Sequence, residues 1–319
     1  MPVAAERGQI VGSGRYCDGV GSNGKQIKRR NHTVNKAYLR RFADGKGVLM
    51  RVELPGDKRN LMSVSQATVI KNFYVLTLPD GTETDLAEDA FSIVETAAAE
   101  ATRSLVDQGV WPIPLKVRED IAGWIALQYL RGPWVRQLGR EIADEFAGLG
   151  VRVRTGSGEH LTVKMSDDGM DAIAGAELQL KIIHRNLPEI AAMLCEKDWV
   201  LSFYQRKRLA TSDTPIALTP AEDHPDFLGI GLHNAGEIDV PLDRRVGLSL
   251  GDEGTGDLRV NGSAKTALYL NHAMARNARK YMFHHPEDEP LRGFQLPAPR
   301  TRELASPAGA GPLIEHLFR

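Results

Sequence analysis

Four short stretches of the chain carry side chains able to do chemistry. Residues 211–215, Thr-Ser-Asp-Thr-Pro, gather three hydroxyls and a carboxylate in front of a proline that holds Asp213 out of regular strand pairing, as loops that present site residues often do. The same letters also make a good Asx or Ser/Thr turn. Glu88 and Glu95 stand seven residues apart on either side of Phe91, so one helix face would carry both, facing Arg131, Arg41 or a divalent ion, with an internal ion pair the commoner outcome. Gln128 shares the face of Ile121 and Trp124, and Arg131 follows it by one turn. Buried, both must be satisfied: either they point into a polar pocket, or Arg131 pairs with a carboxylate and closes a helix C-terminus, where the dipole favours a cation. His32 precedes Tyr38-Leu39-Arg40-Arg41-Phe42 in a basic stretch, and a histidine there is suited to act as a base, a metal ligand, a phosphate contact or a structural residue.

None of the strong catalytic signatures is present: no phosphate loop ending in Lys-Ser/Thr, no His-Glu-x-x-His and no Gly-x-Ser-x-Gly elbow. Residues 19–24 match a dinucleotide fingerprint in letters only, with no strand before them and no helix after. His224, His233 and the pair His284-His285 lie near acidic residues without a ligand spacing.

The elements that must position these groups read as α+β, with antiparallel strands near both ends of the core, a central group of helices and a long late helix. Residues 1–30 form a basic, flexible leader, rich in Gly, Ser, Arg and Lys. The alternation Val48, Met50, Val52, Leu54 before Pro55-Gly56 predicts a strand, and residues 72–78 before Pro79-Asp80-Gly81 predict another. Thr84 or Asp85 caps a helix reaching Leu105; a second helix spans residues 116–130 with the stripe Val117, Ile121, Trp124, Ile125; a third spans 134–149. Residues 148–158 read as a loop, and 170–195 as one or two helices broken near Pro188. Residues 199–204 and 208–210 read as a hairpin, 238–242 and 246–250 as strands, and 263–283 as one helix. Six prolines after residue 285 predict a surface or disordered tail over 286–319, with residues 313–318 docking as a short helix.

Composition excludes broad classes. The chain has 319 residues, 40 Lys plus Arg against 41 Asp plus Glu, and only two cysteines, Cys17 and Cys195, too few for a disulfide framework or a zinc cluster. No apolar run is long enough to span a membrane and no secretory signal is visible, so the expectation is a soluble protein of the reducing cytoplasm. The net charge of -1 hides an uneven distribution, since residues 1–60 hold 13 basic and 5 acidic side chains. Lys25, Lys28, Arg29, Arg30, Lys36, Arg40 and Arg41 are spaced to meet several phosphates, or form a solvated basic arm.

The ordered series His32, Val34, Tyr38-Leu39-Arg40-Arg41-Phe42, then Phe73-Tyr74, Glu88 and Glu95, then Gln128, Arg131 and Pro133, then Trp199, residues 211–215, Pro241-Leu242 and Asn271 resembles the domain-of-unknown-function family 4238. The resemblance covers about residues 31–283 of a single α+β domain placed at 31–285, and departs from the family pattern at Asn35, where a proline is usual. It implies no reaction. It does imply that His32, Glu88, Gln128, Arg131 and Asp213 meet in one site.

Two functions follow as expectations. In the first, a metal-assisted hydrolase or nuclease, Asp213 and Glu88 hold Mg or Mn, His32 activates water, and Arg131 or Arg41 stabilises a phosphate transition state, with Tyr38, Gln128, Thr211 and Ser212 contacting substrate. In the second, the chain is a non-catalytic nucleic-acid-binding or regulatory interaction module whose basic segment contacts phosphates without cleavage.

Overall fold

The structure, a computed structural model, describes residues 27–301 and 303 except 79, 150, 155–159, 164–174, 226–228 and 253; for 143, 145–149, 151–154 and 160–163 it describes the backbone alone. The fold is α+β, as expected. The leader up to residue 26 with its glycine fingerprint, and the helix expected over 313–318, lie outside the described residues.

Helices form the centre. Helix α1 (Lys36–Arg40) is followed, after five short strands, by α2 (Leu86–Thr102), α3 (Leu115–Leu130), α4 (Pro133–Leu149) and α5 (Ala176–Glu196). Because α3 lies between α2 and α5, it is buried on more than the predicted stripe. Ala122, Ala126, Leu127 and Gln128 are enclosed together with Ile121, Trp124 and Ile125. Alanine on the crowded faces lets neighbouring helices approach closely.

Against this layer lies a five-stranded sheet built from β9 (Asp198–Tyr204), β11 (Ala217–Pro220), β12 (Ala235–Asp243), β13 (Val246–Gly251) and β14 (Leu258–Gly262), ordered β11-β12-β13-β9-β14. Only β14 runs parallel to its neighbour. Alternate residues Ile238, Val240, Leu242, Leu248, Leu250, Trp199 and Leu201 turn inward to the helices, as the two-residue period of a strand requires. On the opposite face Tyr204 and Leu209 pack with Ala267 and Leu270 of α6 (Ala264–Asn277). Gly262 sits across from Tyr204, where a Cβ would come within 2.2 Å of the ring, so only glycine fits that position.

A second, antiparallel sheet has the order β10-β15-β2-β3, formed by β2 (Val48–Glu53), β3 (Lys58–Ser63), β10 (Thr211–Ser212) and β15 (Tyr281–His284). Two short pairs, β1 (Arg30–His32) with β4 (Val69–Lys71) and β5 (Leu76–Thr77) with β6 (Glu83–Thr84), flank the helices. No helix among the described residues is long and apolar enough to cross a membrane.

Several local expectations are corrected. Residues 72–75 are not a strand, because Asn72 takes the left-handed conformation at φ 55° and the Tyr74 N–H is claimed by the Asn31 side chain. Residues 151–154 and 160–163 pair as strands β7 (Val151–Arg154) and β8 (His160–Val163), the first inside the loop predicted over 148–158 and the second just beyond it. Pro188 does not break α5: it and His184, whose carbonyl loses its partner, are both exposed, so water takes the freed oxygen. Strand β9 pairs with β13 and β14 rather than with 208–210, and the Arg208 guanidinium donates back to the Tyr204 and Gln205 carbonyls. The helix expected over 263–283 stops at Asn277, since Ala278 is extended and the aromatic stretch beyond it joins the second sheet as β15. The proline-rich tail is anchored through its first part, with Leu291 and Leu296 buried beside Met274 and Met282.

Candidate functional site

One buried asparagine and one buried arginine fasten β1 to the helices. Asn31 is inaccessible; its Nδ2 donates to the Lys28 carbonyl (3.1 Å) and to Glu88 Oε1 (3.0 Å), and its Oδ1 accepts from the Tyr74 N–H (3.1 Å). That uses most of an amide's capacity, as burial demands. Arg131, 2% exposed, follows α3 as its capping residue. Its Nε donates to the Thr33 carbonyl (3.2 Å), its terminal nitrogens to the His32 carbonyl and the Glu95 carboxylate, and its plane lies 5.2 Å from the Phe91 ring centre. The Tyr74 hydroxyl in turn donates to the Arg131 carbonyl at 2.7 Å. A cation so enclosed is tolerable because each of its three nitrogens has an acceptor, one of them a carboxylate.

Between the β1–α1 segment and α2 opens a cleft of about 990 Å³. Helix α2 lines it with Glu88, Ser92, Glu95, Thr96, Ala99 and Glu100, spaced along one face, with Arg103 just beyond its end. The opposite wall carries Lys28, Arg29, Arg30, Lys36 and Arg40, with His32 and Arg131 also lining the space. Three of these cations are committed: Lys28 to Asp89 at 2.9 Å, Arg29 to Glu83, and Arg131 to Glu95. Among the described residues Arg30, Lys36, Arg40 and Arg103 form no ion pair. A smaller cavity of about 150 Å³ continues from the cleft, sharing Arg40, Glu95 and Arg103 and adding Tyr38, Arg41 and Trp124.

Enclosure shifts two titratable groups that line the cleft, His32 and Glu88. Burial, reinforced by Lys36, lowers the His32 pKa to about 4, so the ring is neutral at pH 7. Its Nε2 lies 3.3 Å from the Ser65 carbonyl oxygen, and the tautomer that donates there leaves Nδ1 as an acceptor. Burial also raises Glu88, against the opposing pull of Arg131 and the Asn31 hydrogen bond.

The structure therefore brings His32, Glu88 and Arg131 to one cleft and sends the other expected site residues elsewhere. Asp213 does not line it. The Asp213 carboxylate accepts the N–H groups of Arg279 (2.9 Å), Lys280 (2.8 Å) and Tyr281 (3.1 Å), fixing the turn between α6 and β15. Ser212 closes its own turn by donating to the Thr214 carbonyl. Thr211 is buried, 2.7 Å from the Tyr38 hydroxyl, which donates to the Pro241 carbonyl at 2.8 Å. Burial raises the Tyr38 pKa and keeps the phenol protonated. Gln128 lies behind the cleft with its Oε1 accepting from the Asn35 N–H (3.3 Å) and its Nε2 without a partner. Arg41 borders the smaller cavity but is bound to Asp107 through both terminal nitrogens. The expected pairing of Asp213 with Glu88 about a metal is thus set aside. Among the described residues no group of three His, Cys, Asp or Glu side chains could hold a metal ion.

Sequence reasoning placed Arg30, Lys36 and Arg40 in a basic run but missed Asn31 and Arg103. Arg103 stands fifteen residues after Glu88, four helical turns along the same face, and that arithmetic was available. Nothing in the spacing marked Asn31.

No curated protein and no solved structure matches the chain. Residues 30–288 match the family described as protein of unknown function, DUF4238. That match takes in the cleft lining from Arg30 onward, and with most of its length covered the chain belongs to the DUF4238 family.

Proposed function

We propose that the cleft binds a short stretch of single-stranded nucleic acid through its phosphates. The observation that carries this reading is the set of four cations without an ion pair among the described residues, Arg30, Lys36, Arg40 and Arg103, around one concave space. Its volume lies at the top of the range of about 300–1,000 Å³ that holds drug-sized ligands, enough for a few nucleotides of one strand and too little for a duplex. The cleft lining includes no Phe, Tyr or Trp among the described residues, so affinity rests chiefly on the backbone charge. Four phosphate contacts to a single strand give a log–log salt slope of roughly -3, a loss of about fifty-fold in affinity between 50 and 200 mM salt. Fluorescence anisotropy with labelled octanucleotides measures this directly. Replacing Arg40 and Arg103 together with Met should roughly halve the slope, and a wild-type affinity indifferent to salt refutes the reading. A reducing, cytoplasmic setting belongs to the same proposal, supported by the free thiol of Cys195.

A second reading, hydrolysis of the bound strand, is favoured by the position of His32, which lines the same cleft with Nε2 beside the Ser65 carbonyl and Nδ1 left as an acceptor. Cleavage on a denaturing gel, run with Mg, Mn or chelator, that disappears in His32→Ala would support it. An intact oligonucleotide under all three conditions removes it.

A further inference from the structure

The two walls of the cleft differ in sign, and the acidic one has a fixed point. Glu95 is consumed by Arg131, while Glu100 is exposed at the rim. Glu88 differs from both: half-buried, it is held through Oε1 by the inaccessible Asn31, which is itself anchored to the backbone at Lys28 and Tyr74. Among the described residues no donor takes its Oε2. A carboxylate held by a rigid neighbour and left with an open acceptor is a reader of hydrogen-bond donors, because it can only accept. The cations across the cleft position a strand by its phosphates and carry no sequence information, so any discrimination falls to a group that meets a base edge.

We infer that Glu88 reads the base of a strand lying in the cleft and selects bases that present an amino group, cytosine over uracil among the pyrimidines. This rests on the cleft being a single-strand site. Cytosine offers an N4 amino donor at the ring position where uracil carries the O4 acceptor, so one faces the open oxygen of Glu88 favourably and the other is repelled. Both bases have similar size and similarly weak stacking, which leaves the donor as the difference.

The test is anisotropy at pH 8 with fluorescein-labelled oligo(dC) and oligo(dU) octamers, each across a salt series. Wild type should bind oligo(dC) about tenfold more tightly than oligo(dU), the range a good base-edge contact gives. Glu88→Gln keeps an acceptor for Asn31 while its amide serves either base, so the ratio should fall to within about twofold. Equal wild-type binding to the two octamers with a steep salt dependence overturns the inference and leaves the single-strand site standing. An unchanged ratio in folded Glu88→Gln also overturns it. Binding of neither octamer at 50 mM salt removes the site and the inference together. Should the variant fail to fold, the wild-type ratio still decides.

Discussion

Replacing Arg131 with Met separates a structural tie from a ligand contact. The guanidinium is 2% exposed and bonds to the His32 carbonyl, the Thr33 carbonyl and the Glu95 carboxylate. Methionine keeps the contact with Phe91 but strands a carboxylate and two carbonyl oxygens. Breaking one partner of a buried ion pair costs about 3–5 kcal/mol, and at roughly 2–4 °C per kcal/mol for a chain of this size the melting temperature should fall by about 6–20 °C. Adding Glu95→Leu removes the stranded carboxylate, so the double variant should regain part of the loss, with a coupling on the order of 1–3 kcal/mol. Urea and thermal unfolding followed by circular dichroism give both quantities, and oligonucleotide anisotropy on the same samples, below the transition, reports binding. An Arg131→Met protein that melts within a degree or two of wild type while losing affinity would refute this reasoning and place Arg131 on the ligand.

Two further substitutions probe groups away from the cleft. Asp213→Ala leaves three backbone N–H groups without their acceptor; at about 1–3 kcal/mol for an unsatisfied buried group, the variant should unfold at clearly lower urea while its octamer affinity stays within twofold, and a selective loss of binding would contradict the cap. Asp239 is inaccessible on β12, with Oδ1 accepting from Ser249 and Oδ2 unpaired, and burial with the nearby Glu237 pushes its pKa up to about 7. A carboxyl whose folded pKa exceeds its unfolded value of about 3.9 adds stability below pH 4 that disappears as pH rises through 7, on the order of 4 kcal/mol. Asp239→Asn should flatten the pH dependence of unfolding in that window, and an identical slope in variant and wild type would show that the proton is not held there.

Much of the helical layer was legible because its signals are local. The start of α2 near Asp85 and the span of α3 follow from helical spacing, and the start of α6 lies at Ser263, whose hydroxyl oxygen accepts the Thr266 N–H. The ion pair between Glu95 and Arg131 was among the foreseen partnerships, since each residue's face was readable and burial forces a cation to find a carboxylate. The second sheet was not legible. Its strand β15 (Tyr281–His284) pairs with β10 (Thr211–Ser212) on one side and with the far more distant β2 (Val48–Glu53) on the other, and no local pattern says which edges will meet. The same limit misled the reading of residues 211–215. Hydroxyls and a carboxylate before a proline look alike as a site or as a turn, and only the arrival of β15 beside Asp213 decides for the turn.

By itself the sequence determined the α+β class, the basic character of the first sixty residues, the faces of α2 and α3, and the family to which the chain belongs. These depend on residue type and on periods of two and 3.6 residues, which are properties of neighbours in the chain. Tertiary structure alone decided that Arg30, Lys36, Arg40 and Arg103 surround one cleft, that Asn31 fixes Glu88 at its wall, and that Asp213 lies elsewhere. Those outcomes come from long-range packing, in which buried polar groups must find partners wherever the close-packed core brings them.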